Sequence, residues 1–478
     1  MTWTLPGMLE RHASERAGSA AVRDGERAVS WGELASMAGA ASAGLRARGV
    51  RPGDRVALRL PPSTESIAVL AGVLRIGAVV APVPAGLTAR ELGVALGVLA
   101  PTLVVGPDDL TELTGGGAVK DDIAEAAFDT DPETPAVVVM TSGTTGVPKG
   151  VVLSSRALAA SADAWLGTLP AATGWAMPLG LGHVAGLGVL WRAVRDGVPL
   201  TILPAADPTA LLATLDAGGG PSHVSLVPGQ LVRLLDAAGS ARAPLGVRAV
   251  LLGGGRIPAA LVVRGATGGW PVVNTYGLSE MGSGVTALPA EEALEAPGTA
   301  GRPLPRMSLA IEGAGADGVG EIVVRGPSRS SGYLGEPPVA ATEPVHTRDL
   351  GRLDEAGRLV VVDRRTDRIV RGGENIDPGE VEAVLESHPS IAEAAVIARP
   401  DETWGQVPVA AIVARPEATF PESEALRAHA RANLAGFKVP ATFTSLDTLP
   451  RTAGGKLRRD AVRALLGGEA AGELARPG

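Results

Sequence analysis

Short apolar runs alternate with longer apolar stretches along the N-terminal part of the chain, and glycine or proline separates them. Residues 55–83 read RVALRL, STESIAVLAGVLRIG and AVVAPV in turn, and Pro61 and Pro62 precede the helical stretch. The short β-branched runs predict strands and the longer one predicts a helix. The pattern therefore predicts a βαβ unit.

Similar short apolar runs recur further along and end in glycine, proline or small polar residues. They are PTLVVG (101–106), PAVVVM (135–140), LTILPA (200–205), HVSLVP (223–228), VRAVLLGGG (247–255) and PVVNTYG (271–277). Strands that are apolar along their whole length are typical of parallel sheets covered on both faces. We therefore expect an α/β fold with ligands bound at the carboxyl ends of these strands.

The pattern of apolar and polar residues changes near residue 306, where it begins to predict alternating strands and hairpin turns. MSLAIEG, GEIVVRG and GRLVVVDRR predict a β-rich subdomain, and the last hundred or so residues predict a smaller α+β unit. We predict a large N-terminal domain over residues 1–364 with parallel-rich sheets flanked by helices, and a small C-terminal domain over residues 365–478. Residues 107–133, which are rich in Gly, Asp and Glu, are predicted to form a solvated loop.

Composition narrows the class of protein. A chain of 478 residues is too long for one core of usual size, and 45% apolar content with charges of both signs is typical of a globular enzyme. The formal net charge of −8 does not indicate the basic surface that a nucleic-acid-binding protein needs. The chain has no cysteine, which excludes disulfides, a thiol nucleophile and thiolate zinc sites.

The N-terminal residues lack the basic and apolar segments of a signal peptide. The most apolar stretch, IAVLAGVLRIGAVVAPV, is interrupted by Arg75 and Gly77 and is too short to span a membrane. We interpret the protein as cytoplasmic, with no membrane partner.

The segment MTSGTTGVPKG at residues 140–150 is the strongest candidate for a phosphate-binding loop. It follows an apolar strand, and glycines with hydroxyl side chains let backbone N–H groups and hydroxyls approach phosphate oxygens. A Walker A loop is excluded because Pro148 stands five residues after Gly143 and Lys149 precedes glycine. A G-x-G-x-x-G pattern at residues 313–318 lies between two predicted strands and opens no helix, so it does not indicate a dinucleotide site.

The loop and six further segments, in the same order, resemble the adenylate-forming superfamily, which includes acyl- and aryl-CoA synthetases. The further segments are LGHVAG (181–186), GGG (253–255), NTYGLSE (274–280), HTRDLG (346–351), DRRTDRIVRGGENIDPGEVE (363–382) and PRTAGGKLRR (450–459). The resemblance covers almost the whole chain. It implies ATP-dependent activation of a carboxylate to an acyl-adenylate with release of pyrophosphate, followed by transfer to CoA.

The resemblance also implies roles for individual residues. Glu280 is similar to the family's magnesium ligand and Tyr276 to the residue that stacks on adenine. Asp349 matches the carboxylate that binds the ribose hydroxyls, although Arg348 replaces the commoner glycine and its contact is open. The implied nucleotide-binding set is Thr141, Ser142, Gly143, Thr144, Thr145, Lys149, Gly254, Gly255, Asn274, Thr275, Tyr276, Gly277, Ser279, Asp349, Arg364, Gly372 and Gly373.

For catalysis the resemblance points to Lys456, whose ammonium would bridge the carboxylate and the α-phosphate. His183 corresponds to a position that borders the acyl pocket. The family's small C-terminal domain is mobile and works in two orientations; Thr366 stands at the usual pivot, where Asp or Lys is commoner. The loop at residues 371–374, with Gly372 and Gly373, resembles the one that enters the site for the second step.

The acid and the acceptor are less constrained. HVSLVPGQLVRLL, VLLGGGRIP, NTYGLSEMGS and DRRTDRIVRGGENI resemble the o-succinylbenzoyl-CoA synthetases. Such a dianionic aromatic acid would require a buried cation for its second carboxylate, and Arg192 and Arg256 are both candidates. One alternative is an aryl- or acyl-adenylating enzyme of secondary metabolism that passes its acyl group to a carrier protein or a nitrogen nucleophile. Another is a non-catalytic nucleotide-binding protein. Whether the chain forms a homodimer is left open.

Overall fold

The structure is a computed structural model. It describes residues 4–84, 86–115, 131–141, 148–203, 207–255, 257–364, 369–415, 420–451 and 457–467, with residues 363, 364 and 460 described by their backbone alone. Ser142, Gly143, Thr144, Thr145, Arg256, Thr366 and Lys456, which the sequence analysis singles out, lie outside these residues, as does the side chain of Arg364.

Helices and strands alternate through most of the described chain. The α-helices are α1 (Leu5–Arg16), α2 (Trp31–Ala47), α3 (Thr64–Ile76), α4 (Ala89–Leu99), α5 (Leu110–Gly115), α6 (Ser155–Leu166), α7 (Val184–Asp196), α8 (Pro208–Asp216), α9 (Pro228–Ala238), α10 (Ala259–Thr267), α11 (Pro378–Glu386), α12 (Ser423–Asn433) and α13 (Arg459–Gly467). The strands are β1 (Ala20–Asp24), β2 (Arg27–Ser30), β3 (Arg55–Leu58), β4 (Val79–Pro82), β5 (Leu103–Val105), β6 (Pro135–Thr141), β7 (Lys149–Ser154), β8 (Trp175–Met177), β9 (Leu200–Ile202), β10 (His223–Leu226), β11 (Ala249–Leu252), β12 (Val272–Leu278), β13 (Ser283–Leu288), β14 (Arg302–Pro303), β15 (Ser308–Glu312), β16 (Gly320–Arg325), β17 (Gly332–Tyr333), β18 (Val345–Leu353), β19 (Leu359–Arg364), β20 (Ile369–Arg371), β21 (Glu374–Ile376), β22 (Ile391–Asp401), β23 (Gly405–Ala414) and β24 (Phe443–Ser445).

The predicted βαβ unit at residues 55–83 is confirmed. Strand β3 pairs in parallel with β4, and α3 connects them. The helix begins where the Ser63 side chain accepts a hydrogen bond from the N–H of Ser66, and it ends at Gly77, which adopts the left-handed conformation. These are the usual start and stop signals of a helix, so local sequence fixes the length of this connection.

Two large sheets form the N-terminal part of the fold. One has the order β14-β13-β12-β11-β10-β8-β9-β1-β2, and the other has the order β17-β7-β6-β4-β3-β5. Strands β8 to β12 pair in parallel with one another, which confirms the predicted parallel-rich α/β class. Antiparallel pairs lie at both ends of the first sheet and at the β17 end of the second. The carboxyl ends of β10, β11 and β12 therefore lie along one edge of the first sheet.

The β-rich subdomain predicted after residue 306 is a four-stranded sheet in the order β15-β16-β18-β19. Residues 313–318 connect the antiparallel strands β15 and β16, in agreement with the hairpin expected there. The loop predicted for residues 107–133 is wrong in part, because residues 110–115 form α5, while residues 116–130 lie outside the described residues. The apolar pair of α5, Leu110 and Leu113, is buried, and Leu113 packs against Gly44 of α2.

The described residues divide into two compact units. The first is drawn from Met1–Ala85, Ala95–Thr141 and Lys149–Asp363, and the second from Gly86–Val94, Ser142–Pro148 and Arg364–Gly478. The second unit contains the antiparallel pair β20-β21 and the sheet β22-β23-β24, against which α11 and α12 close a core of their own. None of the helices in the described part of the chain is both long and apolar enough to cross a membrane.

Candidate functional site

The loop that resembles a phosphate cradle connects two antiparallel strands. Thr141, the last residue of β6, lies opposite Lys149, the first residue of β7, and the Thr141 hydroxyl donates to the Lys149 carbonyl at 3.4 Å. The strand ladder therefore closes the loop at its base. Lys149 lies at the loop exit, and its side chain is partly exposed.

Glu280, the candidate magnesium ligand, lies in a short 3-10 helix, Ser279–Met281, that follows β12. The Tyr333 hydroxyl donates a hydrogen bond of 2.8 Å to Oε1 of Glu280. Among the described residues, Oε2 has no hydrogen-bond partner. Burial, together with the carboxylate of Glu280, raises the pKa of Tyr333 above its usual range, so the phenol remains a donor at neutral pH.

A single carboxylate suits Mg²⁺, because this ion usually keeps several waters and takes its other ligands from substrate phosphates. Glu280 is half-buried. The Nζ of the partly exposed Lys149 side chain lies 4.6 Å from the centroid of the Tyr333 ring, whose hydroxyl contacts Glu280. The same Nζ lies 3.2 Å from Oε1 of Glu336. The proposed metal ligand and the phosphate-loop lysine therefore meet at one tyrosine.

The end of β12 brings the candidate ribose and adenine residues together. The Tyr276 hydroxyl donates to Oδ2 of Asp349 at 2.8 Å, although 73 residues separate them. Tyr276 itself is only 4% exposed. Asp349 follows Arg348, which has a positive φ of 62° and whose N–H donates to Glu321.

Other residues of the NTYGLSE segment hold the strand in place. Asn274 is buried and its side-chain amide donates to the carbonyl of Thr299, while the Thr275 hydroxyl donates to the carbonyl of Leu252 on β11. Gly277 lies at a bulge against Ser283, where a Cβ would come within 2.0 Å of the Ser283 carbonyl oxygen. Only glycine permits this approach, and it directs the chain into the turn that carries Ser279 and Glu280.

Gly254 and Gly255 follow the end of β11 on the same sheet edge, and Gly254 has a positive φ of 76°. His183 is the N-cap residue of α7, but its side chain does not cap the helix. The histidine is half-buried at the start of the helix that also carries Arg192. That His183 borders the acyl pocket stays a prediction.

Arg192 is one of the two arginines that the sequence analysis names as candidates for binding a second carboxylate of the acid. It is 3% exposed, and its guanidinium carbon lies 4.6 Å from the Trp175 ring and 5.6 Å from the Trp165 ring. Nη2 donates to the Ser225 hydroxyl at 3.1 Å, and Nε is buried without a partner. Among the described residues, no carboxylate forms an ion pair with it. Burial lowers the pKa of Arg192 to about 9, so the group is still charged at neutral pH.

In the second unit, Gly372 and Gly373 form the two-residue turn between β20 and β21. Both have positive φ values, 59° and 92°, as a type I′ hairpin turn requires. The N–H of Gly372 donates to the carbonyl of Trp404, and a Cβ at Gly372 would come within 2.9 Å of the Trp404 ring. Arg371 stacks on the same ring at 5.4 Å and donates to the carbonyl of Phe437.

Sequence reasoning missed Tyr333, which contacts both Glu280 and Lys149, and Glu336, which contacts Lys149. A signal was available for the tyrosine, since the chain has only two and the resemblance already places Tyr276 in the nucleotide site. The contacts themselves span 53 and 187 residues and follow no local pattern.

The model of the AMP-binding enzyme family matches residues 9–334, and that of its C-terminal domain matches residues 380–456. The chain therefore belongs to the AMP-binding enzyme family. It is 36% identical to 2-succinylbenzoate–CoA ligase of Geobacillus kaustophilus, over 97% of this chain and 98% of the relative. It is 34% identical to the enzyme of that name from Bacillus cereus, over 98% of this chain and 99% of the relative.

Two solved structures are similar along almost the whole chain. O-succinylbenzoate CoA synthetase of Bacillus subtilis, as a double mutant bound to a product analogue, has a TM-score of 0.88 at 29% identity, covering 96% of this chain and 98% of its own. The amide bond synthetase McbA of Marinactinospora thermotolerans has a TM-score of 0.83 at 27% identity, covering 97% and 99%.

Proposed function

We propose that the chain activates 2-succinylbenzoate with ATP and transfers it to CoA. In the first step one carboxylate oxygen attacks the α-phosphate of ATP, the bond to the β-phosphate breaks, and pyrophosphate leaves. In the second step the CoA thiol, having lost its proton, attacks the acyl carbon of the adenylate, a thioester forms, and AMP leaves. The names of the relatives and the geometry of the described site support this proposal.

The first step brings two anions together, so catalysis depends on positioning and on charge stabilisation. We propose that Lys149, whose side chain is partly exposed, binds the outer phosphates, and that Asp349, which accepts a hydrogen bond from Tyr276, accepts hydrogen bonds from the ribose. Bound at Glu280, Mg²⁺ would offset negative charge on the phosphates as pyrophosphate leaves. Lys456 is proposed to stabilise the charge that develops on the reacting oxygens.

The observation that supports this acid most directly is the buried, charged Arg192. An arginine buried with hydrogen-bonding capacity left over costs stability, and an anionic group of the substrate would use that capacity. The acid named in the relatives has a second carboxylate that is not activated, and a planar guanidinium can bind it through two parallel hydrogen bonds. A monoanionic acid would leave the cation uncompensated.

Small side chains leave room next to this cation. A Cβ placed on Gly188, one turn before Arg192, would lie 3.6 Å from both Nη1 of Arg192 and Oγ of Ser283. Ser283 follows Glu280 by three residues and has a φ of 115°, which is strained for a residue other than glycine. We propose that Gly188, Ser283 and Ser225 border the end of the acid pocket that lies away from ATP.

The proposal extends to the organisation of the chain. We propose that residues after Arg364 work as the mobile domain, with Thr366 at the pivot, and that the protein acts in the cytoplasm, where ATP and CoA are found. A nitrogen nucleophile is the second candidate acceptor, because the amide bond synthetase is similar over 97% of this chain. A carrier-protein acceptor and a homodimer stay predictions.

The test is pyrophosphate release with ATP and magnesium across a panel of acids, each with and without CoA. The panel contains 2-succinylbenzoate, benzoates, aminobenzoates, cinnamates and short aliphatic acids. We expect strong turnover of 2-succinylbenzoate only when CoA is present, with AMP and thioester formed in equal amounts. Turnover of another acid, or amide formation with added amines while CoA is not consumed, would contradict the proposed acid or the proposed acceptor. Release of ADP and phosphate would contradict the mechanism.

A further inference from the structure

Tyr333 makes two contacts at the proposed ATP site, and its chain neighbours make two more. Its hydroxyl donates to Oε1 of Glu280 at 2.8 Å, and its ring lies under the Lys149 ammonium at 4.6 Å. Residues adjacent to it are tied to the same two places through the backbone. The N–H of Ser330 donates to the carbonyl of Glu280, and the N–H of Leu334 donates to the carbonyl of Gly150.

The segment around Tyr333 is therefore attached at one end to the turn that carries Glu280 and at the other end to the strand that leaves the phosphate loop. Strand β17, which contains Tyr333, pairs with β7 through Val151 and Val152. These bonds would hold the backbone whatever side chain stood at position 333. The tyrosine adds a second link, which acts on the two charged groups themselves.

We propose that Tyr333 is a positioning residue that holds Glu280 and Lys149 ready for a magnesium nucleotide. By holding Oε1 of Glu280, the hydroxyl fixes the rotation of the carboxylate and leaves Oε2 for the cation. The face of the ring keeps the lysine ammonium close to the same place, in competition with Glu336. This inference rests on the proposed function, because both groups owe their roles to adenylation.

The two tyrosines of the chain provide a matched pair of variants. Each hydroxyl donates to a carboxylate at 2.8 Å, Tyr333 to Glu280 and Tyr276 to Asp349. Tyr333→Phe removes the hydroxyl and keeps the ring, Tyr333→Leu removes both, and Tyr276→Phe removes the other hydroxyl. The readouts are the Kd of ATP by calorimetry, with magnesium and with EDTA, and the magnesium dependence of pyrophosphate release.

We expect Tyr333→Phe to weaken ATP binding about tenfold with magnesium and to leave binding in EDTA unchanged, since only the carboxylate loses a partner. Tyr333→Leu should also weaken binding in EDTA, by roughly two- to fivefold, because Lys149 loses the ring. Tyr276→Phe should weaken ATP binding equally with and without magnesium. The apparent magnesium constant for pyrophosphate release should rise for the two Tyr333 variants alone.

An unchanged ratio of the two ATP dissociation constants in Tyr333→Phe would overturn the inference, as would an equal change of that ratio in Tyr276→Phe. A lower melting temperature with the wild-type ratio would show that Tyr333 serves the fold alone, which also overturns it. The proposed function fails separately, if the wild-type chain releases no pyrophosphate with any acid. The ratio of the two ATP dissociation constants is measured without an acid, so it tests the role of Tyr333 independently.

Discussion

The hydroxyl of Tyr276 donates a 2.8 Å hydrogen bond to the carboxylate of Asp349. Strand β12, the third strand from one edge of the first large sheet, is thereby connected to β18 of the four-stranded sheet. A carboxylate that binds two ribose hydroxyls must present its oxygens at a fixed angle, and a buried phenol is a rigid donor for that purpose. We therefore expect the role of Tyr276 to include the orientation of Asp349 in addition to any contact of its ring with adenine.

For Tyr276→Phe, we predict that KM for ATP in the adenylation step rises about tenfold, because a hydrogen bond to a charged group is worth about 1.5–3 kcal/mol. The turnover number should change little, since the reacting atoms are not touched. Steady-state pyrophosphate release gives both constants. In an Asp349→Ala background the same tyrosine substitution should have almost no further effect, and an additive effect would contradict the coupling.

The turn at Gly372 and Gly373 gives a prediction for the second step. A bulky side chain at position 373, in Gly373→Leu, should leave single-turnover formation of the acyl-adenylate near wild type and slow CoA consumption by at least about tenfold. The reason is that the resemblance places this turn beside the path of the CoA thiol. Rapid-quench measurement of adenylate and thioester separates the two half-reactions.

Gly357→Leu is the control for backbone strain in that experiment. Gly357 also has a positive φ, 73°, and a Cβ there would meet nothing within 4 Å. It lies in the turn between β18 and β19, in the first unit. Equal losses in both half-reactions of Gly373→Leu, or an equal loss of transfer in Gly357→Leu, would contradict the assigned role.

Local sequence predicted the elements whose signals are local. The alternation in residues 55–83 predicted β3, α3 and β4, because apolar runs of strand and helix length were separated by Ser63 and Gly77. It failed for α5, where two leucines in a polar segment form a helix because a surface of α2 covers them. A helix of six residues has little intrinsic stability, so only its tertiary partner determines it.

The candidate site was predictable only where a motif carries it. The segments that contain Tyr276, Glu280 and Asp349 are contiguous in sequence, and the structure brings Tyr276 and Asp349 into contact. The contacts of Tyr333 and the burial of Arg192 depend on residues far along the chain and have no local pattern. Sequence alone left Arg192 and Arg256 unranked, and Arg256 lies outside the described residues.

Two carboxylates hold one buried ammonium in the second unit. Nζ of Lys438 lies 2.5 Å from Oε1 of Glu91 and 2.8 Å from Oε2 of Glu380. Removal of the ammonium by Lys438→Met would leave both carboxylates buried together, so we predict a loss of about 3–5 kcal/mol in the free energy of unfolding. Glu380→Gln should cost much less, because the ammonium keeps Glu91 and one negative charge is removed. Thermal and urea unfolding of the full chain measure both.

The cluster of Lys438, Glu91 and Glu380 also predicts how the free energy of unfolding depends on pH. Burial would raise the pKa of Glu91, but Lys438 and Thr88 together lower it, so its stabilising contribution is complete above pH 4.5 and is lost as the pH falls through the lower, folded value. Burial raises the pKa of Glu380, so protonation of that group opposes the loss. We expect Glu91→Gln to destabilise the chain at pH 7 and to reduce the further loss of stability below pH 4.5. An equal acid sensitivity in the variant and wild type would contradict this assignment.

Arg192 gives the sharpest prediction for the choice of acid. If its guanidinium binds the second carboxylate, Arg192→Met should lower kcat/KM for 2-succinylbenzoate by roughly a hundredfold, since loss of one partner of a buried charge pair costs about 2–5 kcal/mol. The same variant should lose little with a monoanionic aromatic acid, because that substrate has no second carboxylate for the arginine to bind.

Two measurements separate this loss from a defect in folding. The Arg192 side chain packs between Trp165 and Trp175. Methionine fills much of the same volume, and the melting temperature of the variant reports any collapse of the pocket. Ser225→Ala removes the hydroxyl that holds Nη2 and should reduce discrimination between the two acids by a smaller factor, about fivefold. If Arg192→Met lowers kcat/KM equally for both acids, the arginine serves the structure of the pocket, and the second carboxylate must be bound by another cation.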